Sequence, residues 1–254
     1  MVSQEVRDLR IAIGSYVQER YEPPRREVGW HYFGHGAKES LLSSVYLDCF
    51  PEDTHCDGGV TKEDVAIGFF LHDAGKLTST TEPSTWRVSR AQLTEQEWVE
   101  IRSHVHHSLK FLEACEGLLS NKFNPVVKSI ALEHHEYFNG NGGPQKLKGE
   151  EISYFGRLAC VVDHFISLCE DRPERRNTIH PRRRFWYNKS YRRAAKMLSL
   201  TSRHSPHQAL AIMRNNRGSI FVPSIFDKFS QVIENNLYMA EPGLRWIGEY
   251  DPFQ

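Results

Sequence analysis

The sequence lacks the features of a disulfide-linked, secreted or membrane-spanning chain. Its five cysteines are scattered and include no Cys-x-x-Cys pair, which argues against a disulfide framework and for a reducing compartment. No run approaches the roughly eighteen apolar residues of a membrane helix, and the N-terminus has no apolar core typical of a signal peptide. We therefore expect a soluble, cytoplasmic protein that does not bind membranes.

The chain also lacks an excess of charge of either sign. It has 32 basic and 32 acidic residues and a pI of about 7.2, so no overall field attracts nucleic acid and no dedicated nucleic-acid site is expected. Internal repeats, low-complexity linkers and convincing strand patterns are absent too. A length of 254 residues with 39% hydrophobic content suits one large domain, with small additions at most.

Helical patterns follow one another along the chain and predict an all-α fold. Apolar residues recur at helical spacing over residues 3–20, and a second helix is predicted over Trp30–Leu47. Three further starts are marked by a capping box at Thr61, a capping box at Thr94 and the proline Pro125. The helix that starts at Thr94 is expected to continue past His104. Another apolar helix covers Ile152–Leu168.

Histidine and aspartate stand out within these helices. The neighbouring residues His72 and Asp73 are followed by Lys76 one helical turn later. Buried His and Asp side chains both need polar partners, and a divalent metal supplies such a partner. Similar residues recur at intervals of about thirty, namely His35, His72-Asp73, His104, His134-His135 and Asp163. If each interval is a helix and a turn, five helices direct these side chains to one centre in the core of a bundle.

Such a donor set indicates metal-assisted chemistry on phosphate esters. Imidazoles and carboxylates together suit Fe, Mn or Zn, and Asp73 is placed to bridge two ions. Two ions form a clamp for phosphoryl transfer and lower the pKa of bound water, so that hydroxide becomes the nucleophile. Lys76 shares a helical face with His72, where its ammonium could neutralise a phosphate oxygen. Alone, Lys76 would be interpreted as a surface lysine, and any single histidine as structural.

The motifs resemble the HD-GYP branch of the HD-domain metal-dependent phosphohydrolases over roughly residues 30–230. The matching segments keep the order of that family and are Leu71–Lys76, Leu93–His104, His134–Glu136, Asn139–Pro144, Gly149–Ile152, Arg157–Asp163 and Asp171–Pro173. The resemblance implies a helical bundle with a centre of two or three divalent ions, usually Fe or Mn, with Zn, Ni or Mg as alternatives. It also implies hydrolysis of a cyclic dinucleotide, cyclic di-GMP or cyclic GMP-AMP, to the linear dinucleotide by metal-activated hydroxide.

The resemblance also assigns roles to residues of this chain. By motif, the metal ligands are His35, His72, Asp73, His104, His134, His135 and Asp163. Asp73 and Lys76 fall at catalytic positions, and Lys76, Arg172 and Arg175 at positions that bind substrate phosphates. His31 is a candidate ligand of a third ion.

Three positions depart from the family pattern. Gly143 replaces the tyrosine of Gly-Tyr-Pro, so this loop is expected to be looser. Ile166 replaces an aspartate and bears on base specificity. His31 stands where members with three metals have a glutamate.

Three regions follow from the motifs. They are an N-terminal helix or cap at 1–29, which could also form a homodimer contact, the HD-GYP-like domain at 30–235, and a C-terminal tail at 236–254. Residues 172–196 hold ten Arg or Lys residues with interleaved aromatic residues. We interpret this segment as a wall of the substrate pocket, although a solvated helix face or a site for single-stranded RNA would show the same composition.

Two other functions stay open at the sequence level. The chain could be an HD phosphohydrolase that acts on another nucleotide, although simple members use one metal and usually lack the His134-His135 pair. It could also be a non-catalytic signalling module that binds a dinucleotide. The complete ligand set counts against a pure binding module, which has no need of two metals.

Overall fold

The computed structural model describes residues 4–21, 25–79, 81, 92–119, 122–170 and 204–235. In these ranges every regular element is a helix, and one isolated β-bridge joins Arg217 to Phe221. The all-α prediction is therefore confirmed.

The α-helices are α1 (Gln4–Arg20), α2 (Arg25–Cys49), α3 (Lys62–Leu71), α4 (Gly75–Thr78), α5 (Glu95–Arg102), α6 (His104–Leu119), α7 (Pro125–Glu133), α8 (Tyr154–Cys169), α9 (Pro206–Arg214) and α10 (Pro223–Asn235). Short 3-10 helices cover Pro51–Gly58 and Gly149–Glu151.

The helix starts marked in the sequence form as expected. Thr61 accepts a hydrogen bond from the backbone N–H of Asp64, whose carboxylate accepts one from the N–H of Thr61. Thr94 and Glu97 make the same reciprocal pair at the start of α5. These bonds satisfy donors that the first turn of a helix leaves without intrahelical acceptors.

The helix predicted to run from Thr94 past His104 is instead two helices. Helix α5 ends at Arg102 and α6 begins at His104. At Ser103 the hydroxyl donates to the carbonyl of Glu100 at 2.6 Å, and the backbone N–H contacts the carbonyls of both Val99 and Glu100. The N–H of Ser103 is thus shared between the i−4 and i−3 carbonyls at the point where the first helix ends.

The helices that carry the candidate ligands approach one another closely at glycines. A Cβ at Gly36 of α2 would lie 2.4 Å from the carbonyl oxygen of Phe70 in α3. A Cβ at Gly75 of α4 would lie 2.0 Å from the carbonyl oxygen of His104 in α6. Larger side chains at these positions would therefore separate the helices on which the site is built.

The N-terminal helix belongs to the same core, because Leu9 and Ile13 of α1 are buried within the main hydrophobic cluster. Helix α2 begins at Arg25, before the predicted start at Trp30, so the division drawn at residue 29 falls inside a helix. The tail at 236–254 lies outside the described residues. None of the described helices is long and apolar enough to span a bilayer.

A buried carboxylate joins four elements on the side of α2 near its C-terminus. Asp53, in the first 3-10 helix, accepts hydrogen bonds from Tyr46 of α2 at 2.9 Å and from Tyr154 of α8. Lys228 of α10 donates to the other oxygen of Asp53 at 2.7 Å. The ammonium compensates the buried negative charge, so this contact fixes α2, α8 and α10 around one side chain.

Candidate metal centre

Three candidate ligand histidines are oriented by backbone carbonyls close to them in sequence. His72 ends α3 and its Nδ1 lies 2.7 Å from the carbonyl oxygen of Phe69. His104 and His134 make the equivalent contacts at 2.6 Å and 3.0 Å, with Ile101 and Ala131. A carbonyl only accepts hydrogen bonds, so each Nδ1 carries the hydrogen and each Nε2 presents a lone pair.

These lone pairs meet in the interior. The Nε2 atoms of His104 and His134 are 3.4 Å apart, and the rings of His72 and His134 have centroids 4.6 Å apart. Burial lowers the pKa of His72 to about 3 and that of His104 to about 4, so both rings are neutral at physiological pH. The Nε2 lone pairs of His104 and His134 face each other, and a cation between them would stabilise this arrangement.

Asp73 lies between two groups of donors. Its Oδ1 is 3.0 Å from Nε2 of His104 and 3.7 Å from Nε2 of His134. Its Oδ2 is 3.6 Å from Nε2 of His72 and accepts a hydrogen bond from Lys76. Burial opposes ionisation of Asp73, but the charge of Lys76 and contacts with the histidines outweigh it and hold the pKa well below 3.8. The carboxylate is thus ionised, and its two oxygens face different histidines of the cluster.

A second set of donors surrounds His35 in the middle of α2. Its Nε2 is 2.7 Å from Oε1 of Glu39 and 3.1 Å from Oδ1 of Asp163. Burial acts against protonation of His35, but Glu170, Glu39 and Asp163 together raise its pKa well above 6.5. A metal bound at Nε2 would displace that proton, as metal binding to histidine generally does.

The ligand atoms fall into three groups whose members all lie within 4.8 Å of one another. The nitrogen-rich half-site is His104, His134 and His135, the carboxylate half-site is His35, Glu39, His72 and Asp163, and the joining group is His72, Asp73 and His134. The side chain of His135 is 25% exposed, whereas that of His134 is fully buried. The nitrogen-rich half-site is therefore open to solvent on the side of His135.

These residues fit a divalent metal centre. Among the described residues, seven buried side-chain polar atoms have no hydrogen-bond partner, and four of them belong to this cluster. Those four are Oε1 and Oε2 of Glu39, Nε2 of His72 and Oδ1 of Asp73. Buried acceptors without donors are costly, and bound cations compensate them. The donors are imidazole nitrogens and carboxylate oxygens without thiolate, a set that suits first-row divalent metals.

Two acidic residues of this region were missed in the sequence. Glu39 is four residues after His35 on α2, and the helical repeat places both on one face. Glu170 is seven residues after Asp163, directly after the end of α8 at Cys169, and its Oε2 lies 2.9 Å from Nδ1 of His35. Lys38 donates to the other oxygen of Glu170 at 2.6 Å. For Glu39 the helical spacing from a candidate ligand was the available signal, whereas Glu170 follows the end of its helix.

The loop with Gly143 in place of tyrosine is anchored through its backbone, although a looser loop was expected. Arg102 donates to the carbonyl oxygens of Gly143 at 3.0 Å and of His135 at 3.3 Å. Glu136 accepts hydrogen bonds from the backbone N–H groups of Gln145 and Leu147. These contacts tie the loop to the backbone beside the candidate ligand His135.

Of the remaining positions singled out in the sequence, the structure describes the side chain of Ile166 but not those of His31, Arg172 and Arg175. Ile166, in place of the aspartate, is 1% exposed and packs in the hydrophobic core. His31 lies on α2, four residues before His35, but its side chain is outside the described part of the structure. Arg172, Arg175 and the basic segment at 172–196 also lie outside the described residues.

The comparisons with known proteins identify the class. The HD domain family matches residues 52–182, slightly more than half of the chain. The chain belongs to the HD domain family, which agrees with the resemblance found in its motifs. HD domains bind divalent metals, and the clustered His and Asp residues fit that property.

The relatives within this class are cyclic-dinucleotide phosphodiesterases. The 3'3'-cGAMP-specific phosphodiesterase 2 of Vibrio cholerae is 33% identical over 98 residues, which are 39% of this chain and 17% of that protein. A cyclic di-GMP phosphodiesterase of Thermotoga maritima is 30% identical over 172 residues, 66% of this chain and 40% of that protein. A solved cyclic GMP-AMP phosphodiesterase of V. cholerae superposes with a TM-score of 0.45 at 14% identity, covering 84% of this chain and 50% of its own. This chain thus spans less than half the length of the two curated relatives.

Proposed function

We propose that this chain is a metal-dependent phosphodiesterase that hydrolyses a cyclic dinucleotide, cyclic di-GMP or cyclic GMP-AMP, to the linear dinucleotide. The observation that carries the proposal is the meeting of imidazole nitrogens and carboxylate oxygens around the ionised Asp73, which creates two adjacent half-sites for cations. The activities of the relatives in Vibrio and Thermotoga support the substrate class.

We propose two divalent ions, Fe or Mn, with Zn, Ni or Mg as weaker candidates. One ion would be held at each half-site, with Asp73 between them. When bound, such ions act as Lewis acids and lower the pKa of bound water. His31 stays a candidate ligand for a third ion because it is one turn from His35 on α2.

Lys76 is proposed to act on the substrate phosphate. Its ammonium donates to Oδ2 of Asp73 and lies 4.1 Å from the ring centroid of Tyr32, contacts that fix its position. A preorganised cation beside the scissile group stabilises negative charge as it develops on the non-bridging oxygens. Arg172 and Arg175 are proposed to bind the second phosphate of the dinucleotide.

The test combines metal analysis with a substrate panel. The chain is purified without oxygen, its metals are counted, and it is offered cyclic di-GMP, cyclic GMP-AMP, 2',3'-cyclic nucleotides and nucleoside triphosphates. We expect cleavage of a cyclic dinucleotide that is lost, together with the metals, in Asp73→Ala. Asp227→Ala is the matched control, because Asp227 pairs with Arg217 at the surface.

Each other outcome points to a different function. Cleavage of another nucleotide alone would indicate an HD phosphohydrolase of different specificity. Binding of a cyclic dinucleotide without metals or turnover would indicate a signalling module. Hydrolysis retained by purified Asp73→Ala would contradict the mechanism.

A further inference from the structure

Glu39 is a buried carboxylate whose charge is compensated only in part, by the imidazole of His35. The residue is 0% exposed, and within the described part of the structure neither Oε1 nor Oε2 has a well-directed hydrogen bond. Oε1 lies 2.7 Å from Nε2 of His35, and Oε2 lies 3.4 Å from Nδ1 of His72. An ionised carboxylate in such a place requires a cation or a set of donors.

The ring nitrogens nearest to Glu39 contact other acceptors. Nδ1 of His72 contacts the carbonyl oxygen of Phe69 at 2.7 Å, which is closer than Glu39. Nδ1 of His35 contacts Glu170 at 2.9 Å, and its Nε2 is shared between Glu39 and Asp163. The two rings together cannot provide hydrogen bonds for both oxygens of Glu39.

The charges of the cluster do not balance either. Lys38 pairs with Glu170, and Lys76 pairs with Asp73. Glu39 and Asp163 are left to share the single imidazole of His35. Even a protonated His35 therefore leaves one negative charge in the interior.

Helix α2 fixes Glu39 in this position. Its spacing of four residues from His35 puts both side chains on the face that packs against α3. At this contact a Cβ on Gly36 would lie 2.4 Å from the carbonyl oxygen of Phe70, so the two backbones approach closely and leave little freedom. The carboxylate is therefore directed at the centre by the fold.

We infer that Glu39 is a metal ligand, which no motif of the chain assigns. With Asp163 it gives the carboxylate half-site two anionic oxygen donors beside the imidazoles of His35 and His72. The nitrogen-rich half-site has three imidazoles instead. Carboxylates favour harder ions such as Mn²⁺, so the two halves of the centre differ in the ions they prefer.

The inference rests on the metal centre of the proposed function but is tested without substrate. Glu39→Gln keeps the shape and removes the charge. The matched control is Glu116→Gln, since the carboxylate of Glu116 pairs with Lys128 and belongs to none of the ligand groups. Metals per chain are counted after anaerobic purification, the protein is stripped with a chelator, and Mn²⁺ is titrated while binding and thermal unfolding are followed.

We expect Glu39→Gln to contain one ion fewer per chain, or to bind Mn²⁺ at one site about 10- to 100-fold more weakly. The stripped variant should melt at the same or a higher temperature than stripped wild type, because an uncompensated buried charge is gone. Its melting temperature should rise less on addition of Mn²⁺. Glu116→Gln should bind metal as wild type does.

Two results would overturn the assignment. One is a normal metal count with unchanged Mn²⁺ affinity. The other is a lower melting temperature of the stripped variant without any change in metal binding, which would mark Glu39 as structural. If Glu39→Gln does not fold, Glu39→Asp decides by the same titration, since weaker Mn²⁺ binding supports the assignment and unchanged binding refutes it. The metal count and the Mn²⁺ titration test the role of Glu39 even if the chain hydrolyses no cyclic dinucleotide.

Discussion

At the scale of single residues, helix ends determine how the histidines of the centre are oriented. His72 and His134 follow the last residues of α3 and α7, where backbone carbonyls lack intrahelical donors. Their Nδ1 atoms use those carbonyls, and Nε2 is left to face the centre. The arrangement fixes the tautomer without any further side chain.

His35 is oriented differently because it lies in the middle of α2, where the carbonyls are used by the helix. Its Nδ1 contacts Glu170, which is held in turn by Lys38. The carboxylate aligns the ring and makes Nε2 a more basic donor to a metal. Glu170 is therefore a positioning residue for the carboxylate half-site.

Replacement of Glu170 tests this role. In Glu170→Ala we expect Mn²⁺ affinity at one site to fall about 10- to 100-fold, because the His35 ring loses the acceptor that orients it. Titration of stripped protein with Mn²⁺ measures the change. Glu150→Ala serves as the control, since the side chain of Glu150 is 82% exposed. Equal affinities in the two variants would show that Glu170 does not position His35.

At the scale of elements, the approach of α4 to α6 depends on Gly75 and Ser108. The hydroxyl of Ser108 donates to the carbonyl of His72 at 2.6 Å and accepts from the N–H of Gly75 at 2.9 Å. This pair of bonds joins the His72-Asp73 turn to the helix that begins with His104. The two ligand-bearing segments are thereby held at a fixed distance.

Addition of a single methyl group at this contact should be strongly destabilising. In Gly75→Ala the new Cβ would lie 2.0 Å from the carbonyl oxygen of His104, so α4 must move away from α6. We expect a loss of about 3 kcal/mol in the free energy of unfolding. Gly117→Ala on α6 has no neighbouring atom within 4 Å and should gain about 1 kcal/mol from helix propensity. Urea unfolding compares both, and a small loss in Gly75→Ala would contradict the close contact.

Element starts were predictable from the sequence where local chemistry decides them. Thr61, Thr94 and Pro125 each begin a helix because capping and the fixed proline backbone act within one turn. The break at Ser103 was not predictable, because a serine within a helical pattern is compatible with continuation as well as with a break. The start of α2 at Arg25, five residues before the predicted start at Trp30, was also missed.

At the scale of the whole molecule, the meeting of distant residues was predictable only where the residue types are distinctive. Adjacent His and Asp residues at intervals of about thirty indicated a centre, and the structure brings His35, His72, Asp73, His104, His134, His135 and Asp163 together. Glu39 and Glu170 were missed because glutamate on a helix is usually solvated. Their burial is a product of the packing of α2 against α3 and α8, which no local pattern encodes.

Removal of the metals should weaken the whole fold, because the ligands come from segments of five helices. A ligand that binds only the folded state stabilises it by about 2.7 kcal/mol at a concentration a hundred times its Kd. We therefore expect chelation to lower the melting temperature of metal-loaded protein, measured by calorimetry. Asp73→Ala should show no such decrease. Equal melting before and after chelation of wild type would contradict the presence of ions in the core.

The location of His35 and Glu39 matters for anyone who trims this protein for biophysical work. Both precede position 52, where the match to the HD domain family begins. A fragment cut at that boundary would keep the three imidazoles of the nitrogen-rich half-site. It would lose His35 and Glu39, which are half the ligands of the carboxylate half-site. Expression boundaries should therefore lie upstream of Arg25, so that all of α2 is retained.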